Sequence, residues 1–431
     1  MKAKVSGSMN RIGLRLGFAA APACLLITAL ALSASTTGCG SGSSYTLSVP
    51  NIANLSPAQL PKGSPAQTLT INGVNFLASS TVSFNGSART ASFVNSKQLT
   101  IPLATSDLTQ AATMSVVVSN PGQGGGVSPA ASFVVTATSI PPAAASAGYY
   151  ANTFDSASFS SSNVDLKNTY AAGFQWYGFD LFGNPDDSKT VINSDGSITV
   201  QSTYNNGNGN ISTAAVPGTT NIVGTAFGGG GYFEAEIKFD PSTVTYSNGW
   251  PSFWALPAEK LTWPVQPSVQ WPGQPSGYFD YIETDVMEYN QASPGGQPIN
   301  AYLATVHDWY GIGGVTCTSS YYCDLSNEVV PYVPNDSSMT GYHKYGMLWI
   351  PATDTDQGSI AYYVDGQQVA NTTYSKFDIT TATPPPTAPS AFGVIDNEHL
   401  VFILGTGTSS PMTVKSVTAW QKDASQNITS F

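Results

Sequence analysis

Charge is scarce in this sequence. Only 10% of its 431 residues are Asp, Glu, Lys or Arg, while 41% are apolar. That balance excludes charge-rich disorder and coiled coil, and it leaves ample apolar material for a core. Long amphipathic helical runs are missing, whereas 41 Gly and 29 Pro point to turns and β-structure. Basic residues are few, and the formal charge is −11. Lys2, Lys4, Arg11 and Arg15 all fall within the first 38 residues, leaving 11 basic against 26 acidic side chains in the remainder. An acidic chain of this kind argues against nucleic acid and anionic lipid surfaces as partners and leaves neutral ligands open. The sequence also has no Gly-x-Ser-x-Gly nucleophile elbow, no phosphate loop and no metalloprotease spacing among its three His.

What is present begins with an export signal. Four positive charges precede an apolar, small-residue stretch from Leu16 to Ala34, followed by Ser-Thr-Thr-Gly. This is the order of a secretory signal. Thr36-Thr37-Gly38-Cys39 resembles the lipobox of bacterial lipoproteins, which implies lipidation of Cys39 and removal of residues 1–38. Cleavage after Ala31 or Ala34 is the alternative. The chain is thus expected to be exported, as a cell-envelope lipoprotein or a secreted protein, touching a membrane only through that anchor. Residues 39–49 would be a Gly-Ser tether. Of the four Cys, Cys317 and Cys323 remain as a close pair in the exported portion and read as a disulfide.

Between residues 50 and 137 the chain shows short alternating segments, among them Leu69–Ile71, Thr81–Phe84, Met114–Val118 and Ala131–Val135. Asn85-Gly86 and other Gly/Asn/Pro turns separate them, which predicts a small sandwich. Pro50, the Gly73–Phe76 turn, Phe84-Asn85-Gly86 and the Asn120–Gly126 stretch resemble the immunoglobulin-like IPT/TIG domain, and the resemblance implies a spacer or interaction module. Residues 138–147, with Pro141 and Pro142, read as a linker partly stiffened by its prolines.

Residues 148–431 read as a second, larger all-β domain. Tyr232–Phe239 alternates strictly, with Phe233, Ala235, Ile237 and Phe239 on one side. Asp365-Gly366 links two strand-like runs and predicts a two-residue hairpin. Some 280 residues of this kind suit a two-sheet sandwich.

Glu is rare here: seven in the whole chain, two of them in Glu283-Thr-Asp285-Val-Met-Glu288. In a regular strand Glu283 and Asp285 share a face and Glu288 opposes them. One extra residue at Val286-Met287 would return Glu288 to their side. Three close acids cannot all ionise cheaply, so one should hold a proton near neutral pH, as a general acid requires. A pair of carboxyls ~5–5.5 Å apart suits a retaining glycosidase.

The segment resembles the laminarinase-like, bulge-containing branch of glycoside hydrolase family 16. Gly249–Leu256, Val306-His307-Asp308-Trp309, His343–Trp349, Tyr362–Gly366 and Met412–Trp420 resemble further family strands in order. The resemblance implies a concanavalin-like β-jelly roll. It casts Glu283 as nucleophile, Asp285 as assisting acid, Glu288 as general acid/base, and Trp254, His307 and Trp309 as substrate-binding residues. It requires no cofactor and allows a structural calcium ion. The expected partner is a polysaccharide and the expected state a monomer. β-1,3- or mixed-linked glucan leads as substrate, with agar or carrageenan galactans behind it; a surface glycan-binding protein without turnover is the rival. Trp263 and Trp271, in a proline-rich insertion before the acids, read equally as cleft wall or as surface packing.

Overall fold

The computed structural model describes residues 49–179, 185–201, 209–217, 221–244, 251–262, 277–289, 302–312, 323–329, 339–377, 391–405 and 410–429. Cys39, Trp250, Trp263, Trp271 and Cys317 lie outside them, so lipidation, the proline-rich insertion and the disulfide stay expectations. Among the described residues no helix is long and apolar enough to cross a membrane.

The protein is all-β, an immunoglobulin-like sandwich followed by a jelly roll. In the first, Asn51–Ser56, Gln67–Val74, Gln98–Leu103 and Ser92–Asn95 form one sheet, in that order. The second sheet runs Gln59–Lys62, Ala131–Ser139, Ala112–Asn120, Thr81–Phe84, Ser87–Arg89. The alternating residues meet between them: Leu69, Ile71, Val82, Phe84, Val116, Val118 and Phe133 share one buried cluster. Asn85 and Gly86, at φ 49° and 80°, make the tight turn between Phe84 and Ser87. Asn and Gly are the residues that reach that conformation at least cost.

The linker is not extended. Pro142–Ser146 forms a short helix with Pro at its start, where a missing N–H costs nothing. Five residues would not hold a helix alone. Ala143 and Ala144 are buried against Tyr232, Leu348, Ala361, Tyr363 and Trp420 on the outside of a jelly-roll sheet.

That sheet, here the back sheet, runs Thr190–Ile192, Ile198–Val200, Met412–Gln421, Gly231–Phe239, His343–Ile350, Gly358–Val364, Gln367–Tyr374, with Ala151–Ser156 also on Met412–Gln421. The front sheet runs Val164–Asp165, Trp176–Gly178, Ile211–Ser212, Leu400–Gly405, Ser252–Pro257, Phe279–Glu288, Leu303–Gly311, Cys323–Val329. Phe233 of the back sheet stacks on Phe402 of the front sheet at 4.3 Å between ring centroids. Each buried aromatic of this kind contributes about 2 kcal/mol. Outside the core Glu236 binds Lys415 at 2.8 Å, and Glu234 takes the Tyr232 hydroxyl and the Lys344 ammonium. Asp365 and Gly366, at φ 49° and 79°, close the foreseen hairpin, with Val364 opposite Gln367.

Candidate active site

The acidic strand, Phe279–Glu288, lies between an inner strand, Ser252–Pro257, and a histidine strand, Leu303–Gly311, with Cys323–Val329 at the sheet edge. Ile282, Val286 and Met287 all join the inter-sheet core. Thr284 points the same way and bonds the Tyr362 hydroxyl at 2.8 Å. Consecutive residues 286 and 287 facing inward break the strict alternation. The ladders record the same break: Asp285 faces Thr305 but Glu288 faces Leu303, and Asp285 faces Trp254 but Glu288 faces Ser252. Three steps on the acidic strand therefore match two on each neighbour, the signature of a β-bulge.

Cross-strand partners share a face, which settles where Glu288 points. Its partner Ser252 precedes Phe253, and its partner Leu303 lies between Tyr302 and Ala304; Phe253, Tyr302 and Ala304 are all core residues. Glu288 therefore stands on the outer face with Glu283 and Asp285.

The neighbours of these acids are specific. The Trp309 indole N–H donates to Glu283 Oε2 at 2.7 Å. Trp309 stacks on His307, centroids 5.3 Å apart and planes at 17°. His307 Nε2 is 3.4 Å from Asp285 Oδ2. Its Nδ1 lies 3.1 Å from both carboxylate oxygens of Asp324, on the edge strand. Along the same face Phe179, Trp254, Leu256, Phe279, Tyr281 and Ile403 form an apolar cluster. Trp254 is only 6% exposed, edge-on to Phe179 at 5.9 Å, so it forms floor rather than an open platform. The Lys260 ammonium sits over Phe279 and Tyr281, 5.3 and 4.8 Å from the ring centroids.

The site's electrostatics follow from this crowding. Burial, then the neighbouring Asp285 charge, push the Glu283 carboxyl up to about 8; the His307 charge and the Trp309 hydrogen bond act the other way. The upward shift thus falls on the residue cast as nucleophile. Burial disfavours charge on His307, but its hydrogen bonds to Asp285 and Asp324 outweigh it and hold the imidazole up to about 10. Beneath the strand, Glu398 accepts the Ile282 N–H at 3.2 Å, and burial, with Glu259 nearby, raises its carboxyl well above the usual range. Among the described residues no group of three or more His, Cys, Asp or Glu is placed to hold a metal ion.

All three displaced groups bind protons more tightly in the folded chain, which fixes a sign. Each contributes stability in full below its unfolded value and loses it as pH climbs through its folded one. For Glu283 that window is 4.5 to about 8, and for His307 it is 6.5 to about 10. The melting temperature should therefore fall between pH 6 and pH 10, by on the order of 5 °C or more. His307→Gln should flatten the upper part of the fall. A melting temperature that holds constant or rises over this range refutes the assignment; calorimetry across a pH series reads it.

Sequence reasoning missed Asp324, Phe179, Phe279 and Lys260, and it left Tyr281 unassigned. Tyr281 had a signal, since it lies two residues before Glu283 on the same face. Asp324 had none, because edge-strand register is not written in local alternation.

Residues 50–135 match the IPT/TIG domain family. No curated protein sequence matches the chain. Among solved structures, the endo-1,3-β-glucanase of Streptomyces sioyaensis is 18% identical with a TM-score of 0.39, over 66% of this chain and 99% of that one. A Bacteroides ovatus GH16 protein of a mixed-linkage glucan locus, in complex with a product, is 15% identical with a TM-score of 0.31, over 57% and 93%. A Lotus tetragonolobus seed lectin is 11% identical with a TM-score of 0.29, over 62% and 96%. The jelly-roll assignment rests on the sheet order and shared core above, and the first domain carries the IPT/TIG family pattern over 50–135.

Proposed function

We propose that this chain is a retaining, endo-acting glycoside hydrolase that cleaves β-linked polysaccharide, with β-1,3- or mixed-linked glucan its foremost substrate. One observation supports this reading above the others: a bulge at Val286-Met287 turns Glu288 to the face that Glu283, Asp285, His307 and Trp309 share. A protein that only binds sugar gains nothing from crowding three acids, because each pays a desolvation and repulsion penalty.

In the mechanism, Glu283 attacks the anomeric carbon as the carboxylate. The bond to the leaving oxygen breaks, and Glu288 supplies that oxygen's proton. Water then attacks the glycosyl ester from the opposite face, Glu288 takes its proton, and Glu283 leaves as carboxylate. Asp285 stands beside Glu283, while the Trp309 N–H and the His307 cation favour the ionised nucleophile. Activity at low substrate should accordingly rise with pH toward the Glu283 value. Export and an N-terminal lipid at Cys39 would place this chemistry at the cell envelope, where polysaccharide is met.

The test is a reducing-end assay of the mature chain on soluble β-1,3-glucan, mixed-linked glucan, agar and carrageenan. Release from a β-glucan is expected. Release only from a galactan replaces the substrate. Tight binding without release from any of them makes the chain a glycan receptor.

A further inference from the structure

The interactions around His307 extend past the residues that the mechanism uses. An acceptor stands at each ring nitrogen: Asp285 at Nε2, and both oxygens of Asp324 at Nδ1. Ionised carboxylates only accept hydrogen bonds. Both contacts are satisfied together only when both nitrogens carry hydrogens, which is the imidazolium. The ring is also fixed in plane by Trp309, whose own N–H is spent on Glu283. Asp324 reaches this place because it pairs with Trp309 across the ladder, two residues along from Ser326 opposite His307.

We propose that Asp324, on the edge strand, is a positioning residue of the hydrolytic site: it clamps His307 by Nδ1 so that Nε2–H is aimed at Asp285 and a positive charge is kept beside the paired acids. The inference rests on the hydrolase reading above. Among the described side chains, the charges facing the ring are Glu283 and Asp285 from the acidic strand and Asp324 from the edge strand; Ser326, opposite in register, and Trp309 are neutral. His307 lowers the Glu283 value more strongly than Asp324 raises it. Loss of the clamp therefore frees the ring to shed its proton, leaves Asp285 unopposed, and makes Glu283 hold its proton to higher pH. Asp324 touches neither substrate nor reacting atoms in this scheme; it acts through His307.

The experiment compares the full mature chain with Asp324→Asn and Asp324→Glu. Asn keeps an acceptor for Nδ1–H while removing the charge, so folding is preserved. The chain has only three His, so the imidazole proton resonances are few, and His307→Gln assigns the one that matters. In Asp324→Asn the His307 titration midpoint should fall by about one pH unit or more. On soluble β-glucan, kcat should drop about tenfold with KM nearly unchanged, and the acidic limb of kcat/KM should move to higher pH. Asp324→Glu should recover part of both. An unchanged His307 midpoint overturns the proposal, as does a lowered midpoint with an unaltered pH profile. The midpoint is read without substrate, so the two readings fail separately. No sugar release with a lowered midpoint sinks the hydrolase and leaves the Asp324 clamp standing; normal release with a fixed midpoint does the reverse.

Discussion

Glu283→Gln and Glu288→Gln should each lower kcat on β-glucan by about 10⁴-fold, with glycan binding retained. The reasons differ. Glu283→Gln removes the carboxylate proposed to form the glycosyl ester, while keeping an amide oxygen for the Trp309 N–H. Glu288→Gln removes the proton that the leaving oxygen must receive. Neither change should unfold the protein. Glu283 already holds a proton over much of the neutral range, so the neutral amide mimics its resting form. Glu283→Gln should even be the more stable protein above pH 8, where the native carboxyl is forced to ionise in a buried site. A stability gain at alkaline pH combined with loss of turnover is a pairing that an incidental surface acid would not give. Glu283→Gly with added azide offers a direct look at the chemistry. Azide attacks the anomeric carbon from the vacated side, Glu288 protonates the leaving oxygen, and an azide sugar of inverted configuration forms. Retention of more than about 1% of native kcat by Glu283→Gln removes this residue from the mechanism.

The bulge shows how far local pattern reaches. Two acids two apart and a third three further on pose a parity problem, and the only inexpensive solution on a sheet is one extra residue. Val286 and Met287 are both apolar, and the structure buries both; the sequence between the acids thus specifies where the kink falls. Tyr232–Phe239 and the Asp365-Gly366 hairpin were legible for the same reason, since period two and left-handed turn residues are local properties. The Pro142–Ser146 helix was not. Its two prolines and run of alanines fit a linker equally well, and only the apolar outside of the back sheet, assembled from Tyr232, Leu348 and Trp420, makes burial of Ala143 and Ala144 worthwhile.

Roles within the site were less legible than positions. His307 and Trp309 are adjacent in the alternation and were expected to touch sugar. The structure spends the Trp309 N–H on Glu283 and both His307 nitrogens on carboxylates. A hydrogen-bond donor engaged in this way orients the acids before it meets any ligand. Asp324 required pairing between strands separated by more than ten residues, information that resides in the ladder rather than in the segment. The proton on Glu283 has the same origin, because burial and the flank of Asp285 exist only once the sheet is formed.

Asp396→Ala should be the most damaging single change to stability away from the site, at about 3 kcal/mol or a fall in melting temperature of roughly 6–12 °C. Asp396 sits in the Gly393–Asn397 turn. Its carboxylate accepts from the Trp349 indole at 3.0 Å, the Tyr374 hydroxyl at 2.7 Å and the Ala352 backbone N–H at 2.9 Å. Burial pushes this carboxyl up, and those three donors oppose the push. After truncation the Tyr374 hydroxyl can still turn to the Ile350 carbonyl and the Trp349 N–H to Tyr374, but the Ala352 N–H loses its acceptor and a void opens beside a fully buried Trp. Asp396→Asn keeps an acceptor and the volume, so its cost should be about 1 kcal/mol. The turn also joins the two sheets. Trp349 belongs to the back sheet, while just before the turn the Phe392 N–H reaches Asp308 of the histidine strand, and just after it Glu398 takes the Ile282 N–H of the acidic strand. Loosening it should therefore lower thermal resistance while leaving kcat at 20 °C intact, because the Asp396 carboxylate bonds Trp349, Ala352 and Tyr374 and not the acidic strand. Calorimetry and initial rates on the same two variants separate these outcomes: equal melting temperatures for Ala and Asn deny the network its role, and a matching loss of kcat in the folded Asn variant shows that the turn reaches the site after all.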